Sequence, residues 1–254
     1  MTADGWTNAV RQQLGLGRVL PLGGPHDGAW ITEAAAEAVL RRATASMRGV
    51  RLGTLRIALA DPAGTEAPAV PAPPSALPPG PLRVTADFLA SAVPPTEPFP
   101  LTAARLRAGL AEAAAERLGL AVAEIDLRMT DLLGADEPGA RPPQSAPVTA
   151  VPSGDRAAPA RPVRPVPQGD GEESRVTAAA LGVPGVSRLT GALGGPGRAV
   201  HIDTGPALPR RHVRVELAVT EGRRAVDVAR EVRATVGEAL PDHPSVAVLV
   251  TAVE

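Results

Sequence analysis

Two hydrophobic periods alternate along the chain and predict strands and helices in a repeated order. Residues 212–220 alternate between branched apolar residues and others, which is typical of a half-buried antiparallel strand. Residues 224–240 carry apolar side chains at helical spacing, and Pro241 and Pro244 follow, so we predict a helix that ends there. Residues 245–253 are apolar at nearly every position, which predicts a strand at the centre of its sheet.

The rest of the chain follows the same order. In the second half, residues 176–189 predict a short helix followed by a strand, and residues 198–203 predict another strand. The first half is predicted to contain a helix at 31–47 with Thr32 as its N-cap, a strand or hairpin at 50–59, a strand at 82–90, a helix at 101–119 and a strand at 123–132. Both halves end in strand, helix, strand, which suggests a tandem duplication.

These elements predict an α+β fold of two tandem small domains joined by a Pro-rich linker. Each domain is expected to be a meandering three- to four-stranded sheet with helices packed on one face. Proline lacks an amide donor, so neither Pro-rich segment can join a sheet or helix interior. The predicted divisions are an N-terminal helix and extension (1–27), a first domain (28–133) with a Pro-rich loop insertion (61–81), a disordered linker (134–174) and a second domain (175–254).

A Pro-x-x-Pro spacing and the N-terminal extension each leave more than one interpretation open. Pro159, Pro162 and Pro165 have a Pro-x-x-Pro spacing that could dock on an aromatic groove, although a semi-rigid spacer is favoured. In the extension, Trp6, Val10 and Leu14 lie along one side of a short predicted helix. That helix could lie on a membrane surface, but docking on the first domain or in a partner's groove is favoured.

Composition excludes several classes of function. The chain is 44% hydrophobic but only 2% aromatic, so its core must be built from Ala, Val and Leu. The basic residues are all arginine, as in GC-rich, actinobacterial-type coding, and the formal net charge is −1. That balance argues against a nucleic-acid binder, which needs a basic excess.

The absence of cysteine excludes disulfides and thiolate metal sites. No secretory signal or long apolar run is present, which predicts a cytoplasmic protein without a membrane span.

Two segments of the second domain carry a family resemblance. The pattern Val-x-Gly-Val-x-x-Leu-x-Gly is carried by Val183, Gly185, Val186, Leu189 and Gly191. The segment VTEGRRAVDVAREVRATVGEAL (219–240) supplies a Gly-containing turn and a long helix, matching at Gly222, Asp227, Val228 and Ala229 and departing at Glu221, Ala225 and Val226. In these segments the chain resembles the alkaline-shock-protein, or general-stress, family of bacterial envelope stress response proteins.

The resemblance implies a non-enzymatic cytoplasmic protein, and we predict no cofactor. It implies association with itself or with a membrane-associated protein, which could place the chain at the membrane periphery. It also implies that the motif glycines Gly185, Gly191 and Gly222 are structural turns. The remaining expectations about sites come from the residues themselves.

Arginine pairs are the main candidates for an interaction site. The pairs Arg210–Arg211 and Arg223–Arg224 bracket one predicted strand and are therefore expected at its opposite ends. Either pair could bind acidic lipid headgroups or an acidic partner face, although solvated strand ends are the favoured interpretation.

Histidines and a Gly-rich loop are the candidates for chemistry. His201, Asp203 and His212 flank a predicted hairpin and could form an incomplete metal site, but a polar loop rim is favoured because no fourth ligand is nearby. The segment GALGGPGR (191–198) lacks the lysine of a phosphate-binding loop. We therefore assign no catalytic, cofactor-binding or metal-binding residue.

The leading hypothesis is a non-catalytic interaction or scaffold protein that acts through self-association or a membrane-associated partner. One alternative is a nucleic-acid-associated regulator, against which the near-zero charge and the lack of Tyr weigh. The other is a small hydrolase or metal enzyme, which would depend on His201 and His212.

Overall fold

The computed structural model of the chain describes residues 17–92, 97–134, 171–192, 198–204 and 211–254. The helices within these ranges are α1 (Glu33–Thr44), α2 (Phe99–Glu112), which continues into a π-helical turn (Ala113–Leu118), α3 (Gly171–Leu181) and α4 (Ala225–Ala239). The strands are β1 (Val19–Pro21), β2 (Ala29–Thr32), β3 (Val50–Leu59), β4 (Leu82–Ser91), β5 (Val122–Leu133), β6 (Val186–Leu189), β7 (Val200–Asp203), β8 (His212–Val219) and β9 (Ser245–Val253). The predicted helix in 1–16 and the Pro-x-x-Pro segment lie outside the described residues.

The larger sheet combines strands from both ends of the chain. Its order is β1-β2-β9-β8-β6, and β7 also pairs with β8. Strand β9 is parallel to both β2 and β8, and Trp30 lies opposite Leu249. The predicted central position of β9 is confirmed. A strand that is apolar on both faces suits the centre of a sheet, and β2 and β8 pair with the two edges of β9.

This topology differs from the predicted pair of separate sheets. The six-stranded sheet takes β1 from the predicted extension, β2 from the predicted first domain and four strands from the predicted second domain. Alternation along a strand shows that it pairs but not with which strand, so the sequence pattern could not reveal this connection.

The smaller sheet has the order β3-β4-β5. Strands β3 and β4 are antiparallel, and β5 returns parallel to β4 after α2. Strands β7, β8 and β9 have the same relation, with α4 as the connecting helix. The predicted strand–helix–strand order is therefore confirmed in both halves, and so is the α+β fold class.

One buried apolar cluster spans both sheets and all four helices. It includes Leu40 of α1, Leu106 of α2, Val176 of α3 and Val232 of α4, each fully buried. As the composition predicts, Ala, Val and Leu make up most of this cluster. Burying each of these larger side chains contributes roughly 1.5–3 kcal/mol, so the two sheets stabilise each other through a common core.

The Pro-rich loop 61–81 packs on the opposite face of the larger sheet. Its Val70 is buried in a second apolar cluster with Trp30 and Leu249. Near the end of the loop, the Leu77 amide donates to the carbonyl oxygen of Val19 at 2.8 Å. The larger sheet therefore gives the few apolar side chains of the loop a surface on which to pack.

Local features of the sequence explain several element boundaries. The predicted N-cap is confirmed, because Thr32 Oγ1 accepts a hydrogen bond from the Ala35 amide at 3.3 Å and α1 begins at Glu33.

Strand β8 was predicted to be half-buried, but Glu216 and Ala218 on its polar face are also fully buried. That face is covered because the six-stranded sheet packs on both sides.

An ion pair joins the N-terminal region to α4. The two terminal oxygens of Asp27 accept hydrogen bonds from Arg230 Nε and Nη2 at 2.8 and 2.9 Å. The Arg230 guanidinium lowers the pKa of the Asp27 carboxyl, chiefly by this hydrogen bonding. Arg233 also donates to the carbonyl oxygen of His26. Residues more than 200 positions apart therefore share both polar and apolar contacts.

Candidate functional site

A cleft of about 400 Å³ lies where α1, the π-helical turn, the β8–α4 turn and the end of β9 meet. Its walls carry four arginines, from three different segments of the chain. We call it the arginine cleft, and its lining residues are Val39, Arg42, Glu116, Arg117, Glu221, Gly222, Arg223, Arg224 and Val253.

Two of the four arginines hold the walls of the arginine cleft together. Arg42 Nη2 donates to the carbonyl oxygen of Val253 at 2.7 Å, and its Nε lies 3.5 Å from a carboxylate oxygen of Glu221. Arg224 Nε donates to the carbonyl oxygen of Ala115 at 3.0 Å. These contacts fix α1 to β9 and the start of α4 to the π-helical turn, so both guanidiniums are already engaged.

The other two arginines, Arg117 and Arg223, are exposed. Within the described ranges neither guanidinium has a hydrogen bond or ion pair. Four arginines face Glu116 and Glu221 in the lining, which leaves a formal charge of +2. A cleft with two uncommitted guanidiniums is suited to a carboxylate or another oxyanion, because the guanidinium fork matches those groups.

Glycines with positive φ shape two of the walls. Gly222 has φ of +87° at the β8–α4 turn, and no atom lies within 4 Å of the position that a Cβ would occupy. Gly119 has φ of +84° and ends the π-helical turn, where a Cβ would collide with Val226 of α4. The left-handed conformation and the close approach to α4 both favour glycine at position 119.

The arginine pairs from the sequence fall in different environments. Arg223 and Arg224 line the arginine cleft. Arg211 does not: its guanidinium contacts Glu172 at 2.8 Å and Asp242 at 2.9 Å, which ties α3 to the turn before β9. Arg210 lies outside the described residues.

Sequence reasoning missed Arg42 and Arg117 as members of the site. Both lie more than 100 positions before Arg223. Arg42 belongs to an adjacent pair, Arg41–Arg42, that could have been singled out with the other arginine pairs, whereas no local pattern distinguishes Arg117. Of the other motif glycines, Gly185 has φ of +104°, and a Cβ on Gly191 would lie 3.0 Å from backbone atoms of Arg198.

The structure brings the predicted histidine group together on β7 and β8. Asp203 lies directly opposite His212, and His201 lies opposite Arg214. His201 Nε2 is 3.8 Å from a carboxylate oxygen of the buried Glu216. Even so, no group of three or more His, Asp or Glu side chains in the described parts of the chain could hold a metal ion.

His212 forms a cross-strand pair with Ser245. These residues are direct neighbours on β8 and β9, and His212 Nδ1 lies 2.9 Å from Ser245 Oγ. The contact gives a buried imidazole a hydrogen-bond partner, as buried polar groups require. Burial lowers the pKa of His212, with Asp203 acting in the opposite direction.

The lowered pKa of His212 predicts acid sensitivity. Below the ordinary histidine pKa of 6.5, the unfolded chain binds a proton that folded His212 resists. The free energy of unfolding should therefore fall as the pH drops from about 7 through 6.5 toward the lowered pKa. His212→Asn should flatten this dependence in urea titrations between about pH 7 and pH 5. His243→Asn is the matched control, because His243 is exposed at φ of +44°, which asparagine tolerates. A wild-type slope in His212→Asn would contradict the assignment.

None of the helices in the described residues is long and apolar enough to cross a membrane.

Comparisons of the chain with protein-family models, with curated proteins and with solved structures found no match. The resemblance to the alkaline-shock-protein family therefore stays a prediction that depends on the motif residues.

Proposed function

We propose that this chain is a non-catalytic interaction protein of the envelope-stress type, and that its arginine cleft holds an acidic side chain of a partner protein. One observation carries the proposal: Arg117 and Arg223 are uncommitted within a cleft whose walls are fixed by Arg42 and Arg224. Fixed walls lower the entropic cost of binding, since less of the site must become ordered.

The shape of the cleft favours a side chain over a lipid surface. Glu116 and Glu221 lie in the same lining as the arginines, so a flat anionic bilayer laid over the cleft would meet both charges at once. A single glutamate or aspartate side chain can enter a concave site and place its hydrocarbon part against Val39 and Val253. An acidic segment of a membrane-associated protein would satisfy this chemistry and would bring the chain to the membrane indirectly.

Replacing both uncommitted arginines should remove the binding. With a fluorescent hexaglutamate peptide as the probe, Arg117→Glu/Arg223→Glu should weaken binding by about tenfold or more, because two charge-assisted contacts become repulsive. Wild-type binding should also weaken as salt is added, since the cleft is open to solvent. Fluorescence anisotropy at low and at physiological ionic strength measures both effects.

The matched control is Arg48→Glu/Arg56→Glu. It makes the same change in net charge at two exposed arginines outside the cleft. Equal losses in the two double variants would mean that only net charge matters, and this would contradict the proposed site. A wild-type chain that binds vesicles of anionic phospholipid but not the peptide would contradict the choice of a protein partner.

A further inference from the structure

Strand β5 leaves a long edge of the smaller sheet exposed. It has twelve residues, and β4 is its only strand neighbour among the described residues. Most of its side chains are exposed, including Met129 at 41% and Leu132 at 47%. A long edge strand with exposed apolar residues is a template for pairing with another strand.

A hydrogen bond from α2 shows which backbone groups of β5 face the open edge. Arg107 Nε of α2 donates to the carbonyl oxygen of Ile125 at 3.1 Å, so this oxygen faces away from β4. The N–H and C=O of one strand residue point to the same side, and successive residues alternate. The backbone groups of Ile125, Leu127 and Met129 are therefore directed to the open edge. The Ile125 oxygen has a second lone pair, so it can accept an interstrand bond as well.

We propose that β5 pairs antiparallel with β5 of a second copy of this chain, about a two-fold axis at Leu127. In this register Leu127 meets its own equivalent, and Ile125 lies opposite Met129 of the second copy. Asp126 lies opposite Arg128 of the second copy, and the symmetry creates this pair twice. The two small sheets then form one continuous six-stranded sheet across the dimer.

Charge complementarity selects this register. Shifting the axis to residue 126 would place Asp126 opposite itself, and shifting it to residue 128 would place Arg128 opposite itself. Like charges directly opposite each other on paired strands are destabilising, whereas opposite charges are favourable. Arg128 is exposed and has no ion pair within the described ranges, so its charge is available to a second copy.

Further apolar surface lies at one end of the same edge. Because α2 runs from the end of β4 back toward the start of β5, its first residues lie near the end of β5. Phe99 and Leu101 in that first turn are 38% and 56% exposed. The edge shares no residue with the arginine cleft, so a failure of either proposal leaves the other unchanged.

A charge swap tests the pairing. Arg128→Asp places two carboxylates opposite each other at both symmetric positions and should weaken dimerisation by about tenfold or more. Arg128→Asp combined with Asp126→Arg restores opposite charges and should recover most of the wild-type affinity. Arg56→Asp, on β3 of the same sheet, is the matched control and should leave the dimer unchanged. Sedimentation equilibrium of the full chain gives the dissociation constants, and circular dichroism checks that each variant is folded.

A cysteine scan tests the register without relying on charge. The natural chain has no cysteine, so one introduced residue can form a disulfide only with its own equivalent. Leu127→Cys should form a covalent dimer on oxidation, because paired residues lie about 5.5 Å apart between Cα atoms, within disulfide range. Thr130→Cys should not, because the two-fold axis separates its equivalents by roughly 20 Å.

Three results would overturn the proposal. One is a wild-type chain that stays monomeric, which would leave the β5 edge to a protein of another sequence. Another is equal cross-linking of Leu127→Cys and Thr130→Cys. The third is a dimer whose dissociation constant is unchanged by Arg128→Asp.

Discussion

Ile31→Ala should destabilise both halves of the chain together, by about 2–5 kcal/mol. Ile31 is fully buried on β2, between Leu20 of β1 and Val250 of β9. The substitution removes three carbons from a cluster that both sheets share, and it leaves a cavity between an N-terminal and a C-terminal strand. Urea unfolding gives the free-energy change, and hydrogen exchange shows where protection is lost.

The distribution of the lost protection distinguishes a common core from separate domains. Amides of β8 and β9 should lose protection together with those of β2 and β4, because one cluster connects them. Leu101→Ala is the control, since Leu101 is 56% exposed and its loss should cost within about 0.5 kcal/mol. Unchanged protection of β8 and β9 in Ile31→Ala would show that the C-terminal strands do not depend on β2.

Gly119→Ala should cost roughly 2–5 kcal/mol, because two penalties combine. The left-handed backbone at φ of +84° disfavours any residue with a Cβ, and that Cβ would collide with the buried Val226. Thermal or urea unfolding monitored by circular dichroism measures the loss. The collision would also push α4 away from the π-helical turn, and so disturb the arginine cleft.

Gly222→Ala measures the cost of the left-handed backbone without the cost of a collision. Gly222 has nearly the same φ, +87°, but open space where a Cβ would be, so it should show only the backbone cost of roughly 1–2 kcal/mol. Adding Val226→Ala to Gly119→Ala should recover part of the loss, and a double-mutant cycle gives the coupling between the two positions. Equal costs at Gly119 and Gly222, with no coupling to Val226, would contradict the close approach.

Local patterns in the sequence predicted most of the elements correctly. Strands β3 to β9 and helices α1, α2 and α4 lie where alternation, helical spacing and proline placed them. Helix α3 begins at Gly171, inside the predicted linker, and so is longer than the predicted helix. Strands β1 and β2 were missed, because three and four residues are too few to show a period. The pairing of β2 with β9 could not be predicted either, since it depends on the shape of the whole core and not on any local feature.

For a similar reason, the sequence alone identified only two of the four arginines of the cleft. Arg223 and Arg224 stand out because they are adjacent and follow a strand. Arg42 and Arg117 enter the cleft only because α1 and the π-helical turn pack beside that loop. In the folded chain Arg211 is no longer a candidate interaction residue, because Glu172 and Asp242 neutralise its charge.

The pairing of β2 with β9 also has a consequence for biosynthesis. Thr32 and Thr251, which contact each other at the end of this pairing, are 219 positions apart. At translation rates of about 5–20 residues per second, β2 therefore leaves the ribosome roughly 10–40 s before its partner strand exists. During that interval the edge of β2 that later pairs with β9 would be open to nascent-chain chaperones, and a ribosome that stalls late would leave that edge unpaired.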